Sequence, residues 1–125
     1  MIADSELEAA SERYQKGRAA MESGELRGAV EHFRASIRHH PHFKALELLG
    51  ECLLKQGNAA EAVIYLSSAA GLGNRASRAL FLLAQALLQI GDRDAAVSKL
   101  RQALSANSDY RAARELLKTL ESSVS

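Results

Sequence analysis

One short phrase, which begins with glycine and ends with alanine and valine, occurs three times along the chain. It starts at Gly24, Gly57 and Gly91 and reads Gly-Glu-Leu-Arg-Gly-Ala-Val, Gly-Asn-Ala-Ala-Glu-Ala-Val and Gly-Asp-Arg-Asp-Ala-Ala-Val. The glycines are therefore 33 and 34 residues apart. A repeat of this length is typical of chains that stack small units, each unable to bury its own apolar face alone.

Residues with the spacing of a buried helix face lie on both sides of each glycine. Before the second and third glycines they are Leu46, Leu49, Gly50 and Leu53, then Leu80, Leu83, Ala84 and Leu87. After the three glycines they are Ala29, Phe33, Ser36 and Ile37, then Ala62, Leu66, Ala69 and Ala70, then Ala96, Leu100, Ala103 and Leu104. Each unit is predicted to be a helical hairpin.

The glycine of each phrase is predicted to end the first helix in the left-handed conformation that glycine adopts most readily. Asn58 and Asp92 directly follow two of these glycines and are predicted to cap the second helix. Glu61, three residues after Asn58, would complete a capping box.

This pattern resembles the tetratricopeptide repeat, a 34-residue helical hairpin with a small residue in helix A, a turn glycine and spaced alanines in helix B. The resemblance covers about residues 10–110 and implies an all-α solenoid of three repeats plus a closing helix, seven helices in all. The matching residues are Gly17, Gly24, Ala29, Phe33 and Pro41, then Gly50, Leu53, Gly57, Ala62, Leu66 and Ala69, then Ala84, Leu87, Gly91, Ala96, Leu100 and Ala103.

We expect one domain over residues 1–125, with repeats at about 10–42, 43–76 and 77–110 and a capping helix at about 108–122. Arg13, Leu46 and Leu80 stand where the family usually has tryptophan. The first helix is polar, as expected of a cap, and the last has an apolar stripe. The stripe consists of Ala113, Leu116, Leu117 and Leu120. Both ends of the repeat array are therefore expected to be finished. The link that begins at Gly71 is expected to be looser than the other links.

Charge and composition exclude several classes of function. With 16 basic and 15 acidic residues the formal net charge is +1, so no field of one sign recruits nucleic acid or an anionic membrane. No segment approaches the roughly 20 apolar residues of a membrane span, and the amino terminus is acidic, unlike a signal peptide. The single cysteine, Cys52, suits a reducing compartment, so a cytoplasmic protein is expected.

The histidines are the first candidates for a chemical site. His39, His40 and His42 flank Pro41, and His32 lies seven residues before His39. Seven residues of helix span about 10 Å, which is too far for two side chains to share one metal ion. We interpret these histidines as surface residues.

Two other features also have a plainer interpretation. Residues 71–76, Gly-Leu-Gly-Asn-Arg-Ala, have the spacing of a dinucleotide-binding loop, but residues 63–66 before them fall in a helix of the repeat rather than in a strand. Cys52 lies toward the predicted helix interface as a packed small apolar residue. No catalytic residue, metal or cofactor is expected.

The resemblance also implies a binding surface, because in this family the helix A residues not used for stacking line a concave groove that holds a peptide or a partner helix. For the charged members, the alternative is that they are only the solvated sides of amphipathic helices. The corresponding residues are Tyr14, Arg18, Glu22, Lys44, Glu47, Leu48, Glu51, Leu54, Lys55, Arg78, Phe81, Leu82, Gln85, Leu88 and Gln89.

Co-chaperone members of the family hold a C-terminal carboxylate with Lys and Asn of the first unit, Asn of the second, and Lys and Arg of the third. The corresponding residues here are Tyr14, Arg18, Leu48, Arg78 and Leu82. Only Arg78 fits in kind, with Arg18 as a substitute. The resemblance therefore does not imply a carboxylate clamp.

The expected function is a non-enzymatic adaptor that binds a peptide or amphipathic helix of a partner protein in the groove. The alternative is a self-associating scaffold that uses Phe81, Leu82 and Leu88, because helix A of the third unit is apolar nearly all round. A third interpretation is that the closing helix covers these three residues. Neither nucleic acid nor membrane insertion is expected, and the partner's identity does not follow from the residues.

Overall fold

The computed structural model describes residues 4–73 and 76–123, and in these residues the chain forms seven α-helices and no strand. Three antiparallel pairs, α1–α2, α3–α4 and α5–α6, are followed by a single helix, as the repeat predicts. The helices are α1 (Asp4–Glu22), α2 (Leu26–His39), α3 (Phe43–Lys55), α4 (Ala59–Leu72), α5 (Ser77–Gln89), α6 (Arg93–Ala106) and α7 (Arg111–Ser122). We call α1, α3 and α5 the A helices, and α2, α4 and α6 the B helices.

The turn within each hairpin has the predicted glycine in a left-handed conformation. Gly24, Gly57 and Gly91 have φ angles of 76°, 81° and 87°. In the second hairpin Gly57 N–H donates to Leu54 O at 3.0 Å, and Asn58 N–H donates to Leu53 O at 2.9 Å. This pair of bonds is a Schellman motif, and equivalent bonds occur in the other two hairpins. The repeated glycine therefore fixes the same turn three times.

The capping predictions have different outcomes for the two B helices. Asp92 is the N-cap of α6, and its side chain accepts a hydrogen bond from Ala95 N–H at 3.1 Å, as predicted. Asn58 is the N-cap of α4 but makes no side-chain bond to the backbone, so the predicted capping box is wrong. The Asn58 amide instead donates to the Glu61 carboxylate, which is also held by Arg34 from α2. The Asn58 side chain is therefore bonded to Glu61 instead of to the backbone of α4.

The A and B helices of each hairpin approach closely at one small residue. A Cβ atom on Gly17 would lie 2.6 Å from the Phe33 ring, and one on Gly50 would overlap the Leu66 side chain. Ala84 has the same place in the third hairpin and is fully buried. Phe33 and Leu66 are themselves inaccessible to solvent, and burying each such side chain contributes about 2 kcal/mol.

Consecutive repeats are joined by packing and by polar contacts, two of which are made by arginines of B helices. Each helix packs against the next one along the chain, and α3 also contacts α5. Arg34 of α2 pairs with Glu61 and donates to the Tyr65 hydroxyl at 3.0 Å, so it connects α2 to α4. Arg93 at the start of α6 donates to the Leu120 carbonyl at the end of α7, which holds the last helix in place.

In the described part of the chain, no helix is long and apolar enough to cross a membrane. The link that begins at Gly71 includes Asn74 and Arg75, which lie outside the described residues, so the expectation of a looser link stays untested.

Replacing Gly50 by leucine should destabilise the fold by about 3 kcal/mol, because the new side chain overpacks the contact with Leu66. The matched control is Gly71→Leu, at a helical site where a Cβ meets nothing within 4 Å. That change should leave the free energy of unfolding unchanged or slightly raised, since leucine forms helix better than glycine. Urea unfolding followed by circular dichroism measures both, and equal effects would contradict the packing account.

Candidate functional site

The face formed by the A helices contains two neighbouring depressions. The first has a volume of about 410 Å³ and is lined by Arg18, Met21, Glu22, Lys44, Leu48, Glu51 and Arg78, from α1, α3 and α5. The second, of about 350 Å³, is lined by Glu51, Leu54, Lys55, Leu82, Gln85 and Gln89, from α3 and α5. Because Glu51 belongs to both, the two depressions adjoin and form one groove along the A helices.

The repeat explains why these side chains share one face. Met21, Leu54 and Leu88 are 33 and 34 residues apart, and Leu48 and Leu82 are 34 residues apart. Residues one repeat apart occupy equivalent positions on successive A helices, so they form rows across the groove. The apolar rows provide its floor, while charged and amide side chains stand at its rim.

A network of five charged side chains crosses the groove between α3 and α5. Arg78 donates through Nη1 to Glu47 Oε1 at 3.1 Å and through Nη2 to Glu51 Oε1 at 2.6 Å. Lys44 Nζ lies 3.0 Å from Glu47 Oε1, and Lys55 Nζ lies 3.4 Å from Glu51 Oε2. We call these residues the charge network, which has three cations and two carboxylates.

The carboxylates of the charge network lie deeper than its cations. The Glu47 side chain is only 2% exposed and that of Glu51 13%, whereas Arg78 is 43% exposed. Breaking a buried ion pair by removing one partner is costly because it leaves an uncompensated charge. The network therefore fixes the spacing of α3 and α5 across the groove.

The pKa values of two members reflect this arrangement. Burial alone would raise the pKa of Glu51, but the hydrogen bond and the charge of Arg78, together with Lys55, outweigh it and lower that pKa. Burial alone would lower the pKa of Arg78, whereas Glu51 and Glu47 outweigh it and raise that pKa. Both shifts favour the charged forms, so the pair is ionised at neutral pH.

Twelve of the fifteen residues that the resemblance implies for the groove line a depression or belong to the charge network. They are Arg18, Glu22, Lys44, Glu47, Leu48, Glu51, Leu54, Lys55, Arg78, Leu82, Gln85 and Gln89.

The other three predicted residues, Tyr14, Phe81 and Leu88, are half-buried and line neither depression. Tyr14 packs its ring against Phe33 at 6.0 Å and against His42 at 5.2 Å. Leu88 packs against the core.

Phe81 makes an edge contact, 5.5 Å between ring centroids, with Tyr110 at the start of α7. Leu82 is only 7% exposed, so the surface expected at Phe81, Leu82 and Leu88 is mostly covered. The residue that covers Phe81 is Tyr110, the N-cap of α7. The third interpretation, that the closing helix covers these residues, is therefore correct in part.

Sequence reasoning missed two residues of this face. Met21 lines the first depression, and its 33-residue spacing from Leu54 could have identified it. Tyr110 lies near the charge network, and burial, which the charge of Arg78 only partly offsets, raises the pKa of its phenol. No periodic signal marks Tyr110, because α7 belongs to no complete hairpin.

The sequence also has candidates for a metal site, a dinucleotide-binding loop and a reactive thiol. Among residues 4–73 and 76–123 no group of three or more His, Cys, Asp and Glu side chains could hold a metal ion. Residues 63–66 lie in α4, so the glycine-rich segment follows a helix and not a strand. Cys52 is fully buried, and burial raises the pKa of its thiol to about 11, as expected of a packed side chain.

Comparison with family models finds the tetratricopeptide repeat twice, over residues 14–79 and residues 77–118. The first match alone covers more than half of the chain. Comparison with curated proteins finds no sequence match.

Several solved structures share the fold at low sequence identity. The Arabidopsis OM64 TPR domain is 18% identical with a TM-score of 0.90, and the N-terminal domain of stress-induced protein-1 from C. elegans is 19% identical with a TM-score of 0.83. Both alignments cover 95% of this chain and 99% of the other. The first TPR of Spaghetti (RPAP3), bound to the HSP90 peptide SRMEEVD, is 13% identical with a TM-score of 0.89 over 94% of each chain. These likenesses show the fold.

The lowered pKa of Glu51 predicts a contribution to acid sensitivity. Its ordinary value is 4.5, so its stabilising effect is complete above that pH and is lost as pH falls through the lower value of the folded state. Glu51→Gln should therefore lose stability less steeply than wild type when unfolding is measured in urea at a series of acidic pH values. The exposed Glu31→Gln is the control, and parallel curves for wild type and Glu51→Gln would refute the assignment.

Proposed function

The chain belongs to the tetratricopeptide repeat family, a protein-interaction fold, and from that premise we propose that its groove binds a segment of a partner protein. The segment is an amphipathic helix or an extended peptide, and the chain acts as a non-enzymatic adaptor. The observation that carries the proposal is the pair of adjoining depressions, lined by residues from three successive A helices.

The floor of the groove supplies the apolar anchor points that such a segment requires. Leu48 and Leu82 are mostly buried, at 9% and 7% exposed, while Met21 and Leu54 are half-buried at its surface. Leucine and methionine side chains of this kind offer adaptable contacts to apolar side chains of a partner. Because each row runs across successive A helices, the rows favour a ligand segment that contacts these helices one after another.

The rim supplies polar groups that can set register and orientation. Arg18 and Glu22 border the first depression, and Gln85 and Gln89 border the second. Charged groups at a rim contribute more to orientation and association rate than to affinity. The amides of Gln85 and Gln89 can both donate and accept, which suits the backbone of an extended segment.

The alternative, self-association through Phe81, Leu82 and Leu88, has less support, because Phe81 packs on Tyr110 and neither Phe81 nor Leu88 lines a depression. We therefore do not propose it as a second function. A cytoplasmic setting stays part of the proposal because the lone cysteine is buried and needs no disulfide partner.

The proposal is tested with two matched substitutions of apolar residues by lysine. Leu54→Lys places a charge in the second depression, whereas Ile64→Lys changes a residue of α4 that is 62% exposed and lines neither depression. For a peptide selected on the wild-type protein from a random library, Leu54→Lys should weaken binding roughly tenfold or more. Ile64→Lys should bind like wild type.

Calorimetric titration gives the two dissociation constants, and circular dichroism checks that both variants are folded. If Ile64→Lys weakens binding and Leu54→Lys does not, the partner uses the B-helix surface and the proposal is refuted.

A further inference from the structure

We infer that Glu47 and Glu51 determine the specificity of the groove by occupying Arg78, so that the groove rejects segments presenting a carboxylate and accepts uncharged ones. This inference rests on the proposed function, because it concerns the ligand of the same groove.

The geometry at Arg78 is that of a cation whose partners come from its own chain. Both terminal nitrogens of the guanidinium donate hydrogen bonds, Nη1 to Glu47 at 3.1 Å and Nη2 to Glu51 at 2.6 Å. These are the two nitrogens with which arginine commonly holds a carboxylate in a forked pair. Two carboxylates of α3 thus take the place that a ligand carboxylate would need.

A ligand carboxylate could reach Arg78 only at a large cost. If both glutamates stayed in place, three negative groups would surround one guanidinium, and like charges placed together oppose binding. If the ligand displaced Glu47, a side chain that is 2% exposed would keep only Lys44 as its partner. A buried charge that loses a partner is strongly unfavourable.

The remaining cations of the charge network do not provide an alternative site of comparable strength. Lys44 and Lys55 already contact the same two carboxylates, and their side chains are 51% and 54% exposed. Exposed lysine–carboxylate pairs contribute little because water and salt screen them. Lys44 and Lys55 would therefore attract an acidic segment only weakly.

An uncharged segment meets none of these costs. Leu48 and Met21 border Arg78 within the first depression, and Leu54 and Leu82 continue the floor in the second. A ligand side chain that covers this floor leaves the charge network intact and buries apolar area. The groove therefore fits a segment with apolar residues at its centre and no carboxylate near Arg78.

The acidic heptapeptide SRMEEVD, which the first TPR of Spaghetti (RPAP3) holds in its structure, is a suitable probe. We compare it with a carboxylate-free version in which Glu and Asp become Gln and Asn and the C-terminus is an amide. Both versions keep the arginine of the peptide, so they differ only in their carboxylates. Wild type should bind the acidic peptide no better than the carboxylate-free one. The double variant Glu47→Gln, Glu51→Gln should bind the acidic peptide roughly tenfold or more tightly than wild type, because Arg78 is then free.

A triple variant that adds Arg78→Gln shows whether the gain depends on that guanidinium, and the gain should disappear. The glutamines keep the shape of the replaced side chains, and thermal unfolding checks the fold. If the double variant does not fold, Glu51→Gln alone should show a smaller gain in the same direction, since its carboxylate is less buried.

The inference fails if wild type and the double variant bind the acidic peptide equally, whether tightly or not at all, or if the gain survives Arg78→Gln. Either failure leaves the proposed function intact, because that proposal depends on Leu54→Lys and a selected peptide. Conversely, weaker binding by Ile64→Lys together with unchanged binding by Leu54→Lys would refute the proposed function without affecting the peptide comparison.

Discussion

The close approach of the A and B helices is the constraint on which the rest of the structure depends. At Gly17 and Gly50 the space of a Cβ atom is filled by Phe33 and by Leu66, so neither position admits a larger side chain without displacement. In interiors packed at this density, adding or removing a single methyl group affects the packing of the neighbouring side chains. The buried Ala84 has the equivalent place in the third hairpin, so all three hairpins pack closely at one small residue, which favours a constant relation between neighbouring repeats.

The groove is a consequence of that constant relation. Equivalent positions on successive A helices form rows, so the leucine and methionine floor arises from spacing alone. The charge network departs from the repetition, since the second hairpin has Glu47 where the first has Tyr14 and the third has Phe81. In the outer hairpins these aromatic rings pack on the N-cap residue of the helix that follows the hairpin, His42 of α3 or Tyr110 of α7. In the middle hairpin an ion pair with Arg78 makes the connection instead.

The sequence was sufficient to predict whatever depends on local spacing. The helical hairpins, the left-handed glycines and the burial of Cys52 follow from residues close together in the chain, and the structure agrees. The pairing of Glu47 with Arg78 could not be predicted, because these residues are 31 positions apart and their contact depends on how two hairpins stack. The same limit applies at Asn58. Its side chain donates to Glu61, and Glu61 also accepts a bond from Arg34 of another hairpin, which local spacing does not reveal. The contact of Phe81 with Tyr110 could not be predicted from the repeat either, because Tyr110 lies outside the three hairpins.

The central claim, that a partner segment lies in the groove of the A helices, is tested most directly by nuclear magnetic resonance. A peptide selected on the wild-type protein is added to the isotope-labelled chain, and backbone amide shifts are mapped onto the seven helices. The account predicts that the largest shifts cluster in α1, α3 and α5 around Leu48, Glu51 and Leu82. Shifts concentrated on the exposed faces of α2, α4 and α6 would contradict it and place the binding surface on the B helices.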